Sequence, residues 1–151
     1  MADATLPDDI AVRVVRLDHD LPLPAYARAG DAGLDLLARE ALLLPAHGWG
    51  LVPTGIAIEL PVGWAAFVLP RSGLAARHGV SCLNAPGLID SGYRDEIRVI
   101  LVNHSSEPYP VARGDRIAQM VVQPVPRVVW VPVDALGVSE RGTGGFGHSG
   151  Y

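Results

Sequence analysis

The sequence predicts an all-β chain, a distorted jelly roll or β-barrel carrying one short helix. Three observations predict it. Seventeen glycines and 13 prolines punctuate 151 residues and are spread along the chain instead of pooled into a linker. Between them lie short runs rich in Val, Ile, Leu and aromatic residues, the pattern of many short strands joined by turns. Only one stretch has the length and end signals of a helix. The same even spacing shows no internal repeat and no boundary within residues 1–140, which read as a single domain.

The elements follow in order. Ala11 to Leu17 is a Val-rich run with arginines interleaved. In Gly55 to Leu60, Ile56, Ile58 and Leu60 fall on one face of a two-residue period. Trp64 to Leu69 is the densest apolar run, too short for a buried helix and far too short to span a bilayer. Ser72 to His78 is the helix, with Ser72 placed to cap its start and Gly79 to end it. Glu96 to Val102, Ile117 to Val122 and Val128 to Val131 complete the strands.

Composition narrows the function. The formal net charge is −4, which argues against a general nucleic-acid binder. Apolar residues make up 49% and mean hydropathy is +0.25, an excess without a membrane segment that points to burial against other subunits. The first residues, Met1-Ala2-Asp3-Ala4, lack a signal pattern, so export is not expected. The single cysteine, Cys82, excludes an internal disulfide framework, fits a reducing cytoplasm and sits in an apolar run as a buried bystander. All 12 basic residues are arginine, so phosphate contacts must come from guanidinium forks or backbone and a P-loop lysine is impossible.

Five segments carry chemistry. Ala29 to Leu36 holds Asp31 and Asp35 in a glycine-rich turn entering a strand. Pro70-Arg71-Ser72-Gly73 brings a guanidinium to the start of the helix, where backbone N–H groups are free to meet an anion. Asn84 to Glu96 is a hairpin-like loop bracketed by Gly87 and Gly92, with Asp90 and Tyr93 inside it. Arg113 to Met120 leads from a turn into an apolar strand that Gln119 interrupts, either outward or toward a ligand. Last, residues 141–151 crowd Arg141, five glycines, Phe146 and two small hydroxyls into one terminus. Glycine-freed amides can wrap an anion, Arg141 can pair with phosphate oxygens and Phe146 can stack on a flat ring, which reads as a flexible phosphate lid. No histidine pair has zinc-ligand spacing, and neither a Gly-x-Ser-x-Gly elbow nor a Walker A is present.

In this order and with these gaps, the five segments resemble the motifs of the homotrimeric dUTPase family, over Ala29 to Gly150. Two residues depart from the family pattern: Asp95 stands where a glycine is usual after Tyr93-Arg94, and His148 replaces a serine of the terminal motif. The chain also stops one residue after Gly150.

The resemblance implies hydrolysis of dUTP to dUMP and pyrophosphate with Mg²⁺, by water attack on the α-phosphorus. That reaction keeps uracil out of DNA and supplies dUMP for thymidylate synthesis. By resemblance, Asp90 is the general base, and Asp35 supports it and the hydrated metal. Arg71, Ser72, Gly73 and Gln119 bind the α- and β-phosphates, with Arg141, Gly147 and Ser149 closing over the γ-phosphate. Asn84, with the backbone of Leu88 and Ile89, reads uracil. Tyr93 packs under the deoxyribose, Arg98 lines the same region and Phe146 stacks on the base. In this family each site draws on three chains, so a homotrimer is implied, with dUTP as its substrate. A dCTP deaminase of the same fold and a non-catalytic regulatory relative are the alternatives. The Gly92-Tyr93-Arg94 hairpin and the terminal motif argue against the first, and intact Asp35, Asp90 and Arg141 against the second.

Overall fold

Ile56, Ile58 and Leu60 all point inward, between 3% and 5% exposed, so the two-residue period seen in the sequence closes the core. The structure is a computed structural model describing residues 9–145. Its strands are β1 (Arg13–Arg16), β2 (Leu34–Leu37), β3 (Leu42–Leu44), β4 (Trp49–Pro53), β5 (Ile56–Glu59) and β6 (Trp64–Leu69). The helix α1 (Ser72–His78) follows, then β7 (Val80–Cys82), β8 (Gly87–Ile89), β9 (Arg98–Asn103), β10 (Tyr109–Val111) and β11 (Arg116–Pro124).

Four small sheets arrange these strands. The largest has the order β2-β11-β6-β8, and a second has β4-β9-β7. The pairs β1-β5 and β10-β3 complete the set, and every pairing is antiparallel. Short antiparallel strands split among several sheets around one core make the jelly-roll-like β architecture that the turn spacing predicts. The core packs Leu36, Leu44, Val52, Val80, Ile97, Val99 and Leu101, none more than 2% exposed. Its one fully buried polar side chain among the described residues, Asn103, is satisfied: Nδ2 donates to the Glu107 carbonyl at 2.8 Å and Oδ1 accepts from Ser105 N–H and Oγ. Cys82 is buried, as expected, and burial pushes its thiol up to about 11.

Two expectations are corrected. Val128 to Val131 forms no strand among the described residues; Val128, Val129, Trp130 and Val131 are all more than 70% exposed. Pro124, Pro126 and Pro132 flank the run and remove ladder donors, and no described strand pairs with it. The helix has the expected bounds and ends on Gly79 at φ +65°, but its N-cap is Arg71, in extended conformation with no side-chain cap, and not Ser72. Ser72 is already helical, so its hydroxyl is not needed to start the helix.

Candidate active site

Register places the first group of side chains. On β11, Gln119 pairs with Asp35 on β2 to one side and with Leu69 on β6 to the other. Directly after Leu69 the chain turns through Pro70 into Arg71 and α1, so the end of β6 delivers the guanidinium beside the Asp35 carboxylate. Arg71 Nε lies 3.0 Å from Asp35 Oδ1, and Arg71 Nη1 donates to the Arg116 carbonyl at 3.2 Å. Arg116 brings a second guanidinium, with Nε 3.7 Å from Asp35 Oδ2. Gln119 Nε2 donates to the Pro70 carbonyl at 2.9 Å, which ties the strand to the helix approach.

Asp35, Leu69, Arg71 and Gln119 line one cavity of about 460 Å³, together with Ala27, Asp31, Ala32, Gly33, Ser72, Gly73 and Val121. Gly33 packs closely on Gln119: a Cβ there would lie 2.7 Å from Gln119 Oε1, so the amide would have to shift. Asp31 shapes the loop, its Oδ2 accepting from Arg28 N–H at 2.9 Å. Chemically the cavity combines a carboxylate held by two arginines, an amide, and the first-turn N–H groups of a helix, which have no intrahelical acceptors. That set suits a polyanion bound by forked donors. Among the described residues no three His, Cys, Asp or Glu side chains gather into a metal cluster. A Mg²⁺ held mainly by substrate oxygens and waters requires no such cluster, and the carboxylates lining the cavity fit a supporting role beside it.

The hairpin builds a second cavity, of about 220 Å³, lined by Asn84, Gly87, Leu88, Ile89, Tyr93, Ile97 and Arg98. β8 pairs with β6, so the hairpin is anchored to the strand that leads through Pro70 to Arg71. Tyr93 hydroxyl donates to the Glu96 carbonyl at 2.9 Å, and Arg98 Nη2 pairs with Asp95 Oδ2 at 2.7 Å. Asp95, the departure from the usual glycine, thus has a partner in the cavity wall; its Oδ1 also accepts from Glu96 N–H at 2.7 Å.

Within one chain the two cavities share no lining residue. Asp35, Arg71, Ser72, Gly73 and Gln119 meet in the first, while Asn84, Leu88, Ile89, Tyr93 and Arg98 meet in the second. Asp90 is exposed at the end of β8, its carbonyl accepting from Tyr93 N–H at 3.1 Å, and lines neither. Arg141 is also exposed; its Nε donates to the Gly144 carbonyl at 2.8 Å, which curls the guanidinium onto its own turn. Phe146, Gly147, His148 and Ser149 lie outside the described residues. Sequence reasoning missed Arg116 as a neighbour of Asp35. The signal was its position three residues before Gln119 on β11, which faces Asp35 across the ladder.

Residues 19–150 match the family model described as dUTPase. The deoxyuridine 5'-triphosphate nucleotidohydrolase of Gloeobacter violaceus is 60% identical over 146 residues, covering 95% of this chain and 99% of the relative. Among solved structures, a Staphylococcus bacteriophage 80alpha dUTPase variant with dUpNHpp has a TM-score of 0.86 at 24% identity, covering 93% of this chain and 99% of that one. A dUTPase variant of Staphylococcus aureus phage phi11, described with a structural Mg(II) ion, has a TM-score of 0.78 at 19% identity, covering 85% and 100%. The structural likenesses speak for the fold; the family match over most of the chain and the 60% identity establish membership. The chain belongs to the dUTPase family.

Proposed function

We propose that this chain is a dUTP diphosphatase, hydrolysing dUTP to dUMP and pyrophosphate as a homotrimer with shared sites. The observation that carries the reading is the first cavity, where Asp35, Arg71, Gln119 and the start of α1 converge as a polyanion cradle. Arg71 and Arg116 both pair with the Asp35 carboxylate, and Arg71 keeps further N–H donors for phosphate oxygens. Mg²⁺, when bound through the substrate's phosphate oxygens and waters, would supply charge neutralisation on the triphosphate, and Asp35 would support its water shell. Asp90 accepts a proton from the attacking water as its oxygen bonds to the α-phosphorus. The bond from that phosphorus to the α,β-bridging oxygen breaks, and pyrophosphate leaves. Catalysis is then mainly positioning and charge stabilisation.

Uracil and deoxyribose occupy the hairpin cavity. Asn84 and the backbone at Leu88 and Ile89 offer a base-pair-like edge, and cytosine's reversed donor pattern would leave buried groups unpaired. The ring of Tyr93 excludes a 2′-hydroxyl, with Arg98 in the same wall. Because Asp90 lines neither cavity of its own chain, a complete site requires a second chain to bring its hairpin to the phosphate cradle. Residues 141–151 act as a lid, with Arg141, Gly147 and Ser149 on the γ-phosphate and Phe146 on the base; residues 1–140 form the body. The product dUMP feeds thymidylate synthesis and removal of dUTP keeps uracil out of DNA, in a reducing cytoplasm that suits the lone buried Cys82. Among the described residues no helix is long and apolar enough to cross a membrane.

Turnover in ¹⁸O-water tests the chemistry. Attack on the α-phosphorus puts the label in dUMP and none in pyrophosphate; label in pyrophosphate would overturn the mechanism.

A further inference from the structure

We infer that Glu96 is a positioning residue for nucleotide selectivity, fixing the Tyr93 ring in the wall of the hairpin cavity from behind. The inference rests on the function proposed above. Tyr93 is held by a hydrogen bond from its hydroxyl to the Glu96 main-chain carbonyl, at 2.9 Å. That hydroxyl is therefore spent on anchoring, and what the cavity receives is the ring. How firmly the ring stands depends on how firmly residue 96 is held.

Glu96 is held from both ends. Its carboxylate, with the side chain only 13% exposed, accepts from Arg39 Nη1 at 3.3 Å and from the Gly55 N–H at 2.8 Å. Its own N–H donates to Asp95 Oδ1 at 2.7 Å. Arg39 is fixed in turn: Nη2 donates to the Leu17 carbonyl at 3.2 Å, and Nε lies 3.7 Å from Asp18 Oδ2. Arg113 closes the chain of contacts, pairing with Asp18 and donating to the Arg39 carbonyl. Gly55 suits this place because its φ is +77° and a Cβ there would stand 3.0 Å from Asp18 Cβ. A line of charged contacts thus runs from Arg113 through Asp18 and Arg39 to the Glu96 carboxylate, and the main-chain carbonyl of the same residue takes the Tyr93 hydroxyl. Charged hydrogen bonds that are half-buried hold geometry better than exposed ones.

Glu96 does not line the hairpin cavity, whereas Tyr93 does, so the effect must travel through Tyr93. Glu96→Gln keeps an acceptor for Gly55 and removes the charge that holds Arg39. Tyr93→Phe keeps the ring and removes the anchor. Each should lower the dUTP-over-UTP ratio of kcat/KM by roughly three- to tenfold, the range of one hydrogen bond. The loss should come through KM more than kcat, and the double variant should lose no more than either single one. A Glu96→Gln protein with a lower Tm but an unchanged dUTP-over-UTP ratio would overturn the inference. So would losses that multiply in the double variant. If Glu96→Gln does not fold, Arg39→Gln must show the same loss and the same non-additivity with Tyr93→Phe, and failure of either overturns it. A parent protein that hydrolyses dUTP while the variants keep its selectivity refutes this inference alone. A parent that leaves dUTP intact refutes the proposed function and this inference with it.

Discussion

Arg71 and Asp35 face each other at 3.0 Å, joining the residue that caps α1 to the central pair of β2 and β11. The contact ties two elements far apart in sequence in the lining of the larger cavity, and it sets the Asp35 carboxylate between two guanidinium groups. Removing the arginine therefore takes away both the proposed phosphate donor and the partner of a half-buried carboxylate. Arg71→Ala should lower kcat/KM for dUTP by about 10²–10³, the usual cost of one preorganised charge-stabilising donor. Steady-state pyrophosphate release measures it, and circular dichroism should show the fold retained.

Asp90→Asn should keep dUTP binding while lowering kcat by about 10²–10⁴, the contribution of a positioned general base. Since Asp90 and the Arg71 cradle lie in separate regions of one chain, the two defects should complement. Trimers assembled from mixed Asp90→Asn and Arg71→Ala chains should recover part of the parent activity, read against each homotrimer alone. A stable monomer by light scattering, or mixed assemblies no better than the worse variant, would contradict the shared site.

How much of this was readable beforehand differs by element. The core face at Ile56, Ile58 and Leu60 and the helix from Ser72 to His78 were legible because periodicity and end signals are local. The short strands Leu42–Leu44, Val80–Cys82 and Tyr109–Val111 were not, since three residues hold no period and only their ladder partners define them. Val128 to Val131 misled for the opposite reason: a β-branched run has the propensity of a strand, but a strand also requires a partner ladder. In the site, residue types marked Asp35, Arg71 and Tyr93. The partnerships of Arg116 with Asp35 and of Glu96 with Arg39 and Tyr93 were hidden, because each joins residues whose proximity only the fold creates.

Deleting residues 141–151 should leave a folded trimer, because a glycine-rich tail buries little apolar surface and is entropically costly to order. The deletion should nevertheless lower kcat by orders of magnitude, as expected when a closing segment completes the charge stabilisation. Arg141→Ala should reproduce much of that loss. Thermal melts and dUTP turnover measured on the same samples separate a lid from a bystander, and full activity in the truncated protein would remove the lid.

Asp18 gives the fold an acid-sensitive joint. The Arg113 guanidinium hydrogen-bonded to it holds its carboxyl down at about 2, against 3.8 for an ordinary aspartate. A carboxyl lowered in the folded state contributes stability that is fully present above about pH 4 and fades as pH falls through about 2. Asp18→Asn should therefore flatten the loss of stability between pH 4 and pH 2, measured by urea unfolding at fixed pH steps. A parent and variant with parallel acid profiles would show that the pair does not act on folding.

Pyrophosphate release from dUTP, set beside dCTP, dTTP and UTP under identical Mg²⁺ conditions, tests the central claim most directly. Release should be rapid from dUTP alone, with the other three slower by about 10²-fold: dCTP because it leaves buried polar groups unpaired, and dTTP and UTP because the extra methyl or 2′-hydroxyl does not fit. Comparable release from dCTP or UTP, or none from dUTP, would contradict it.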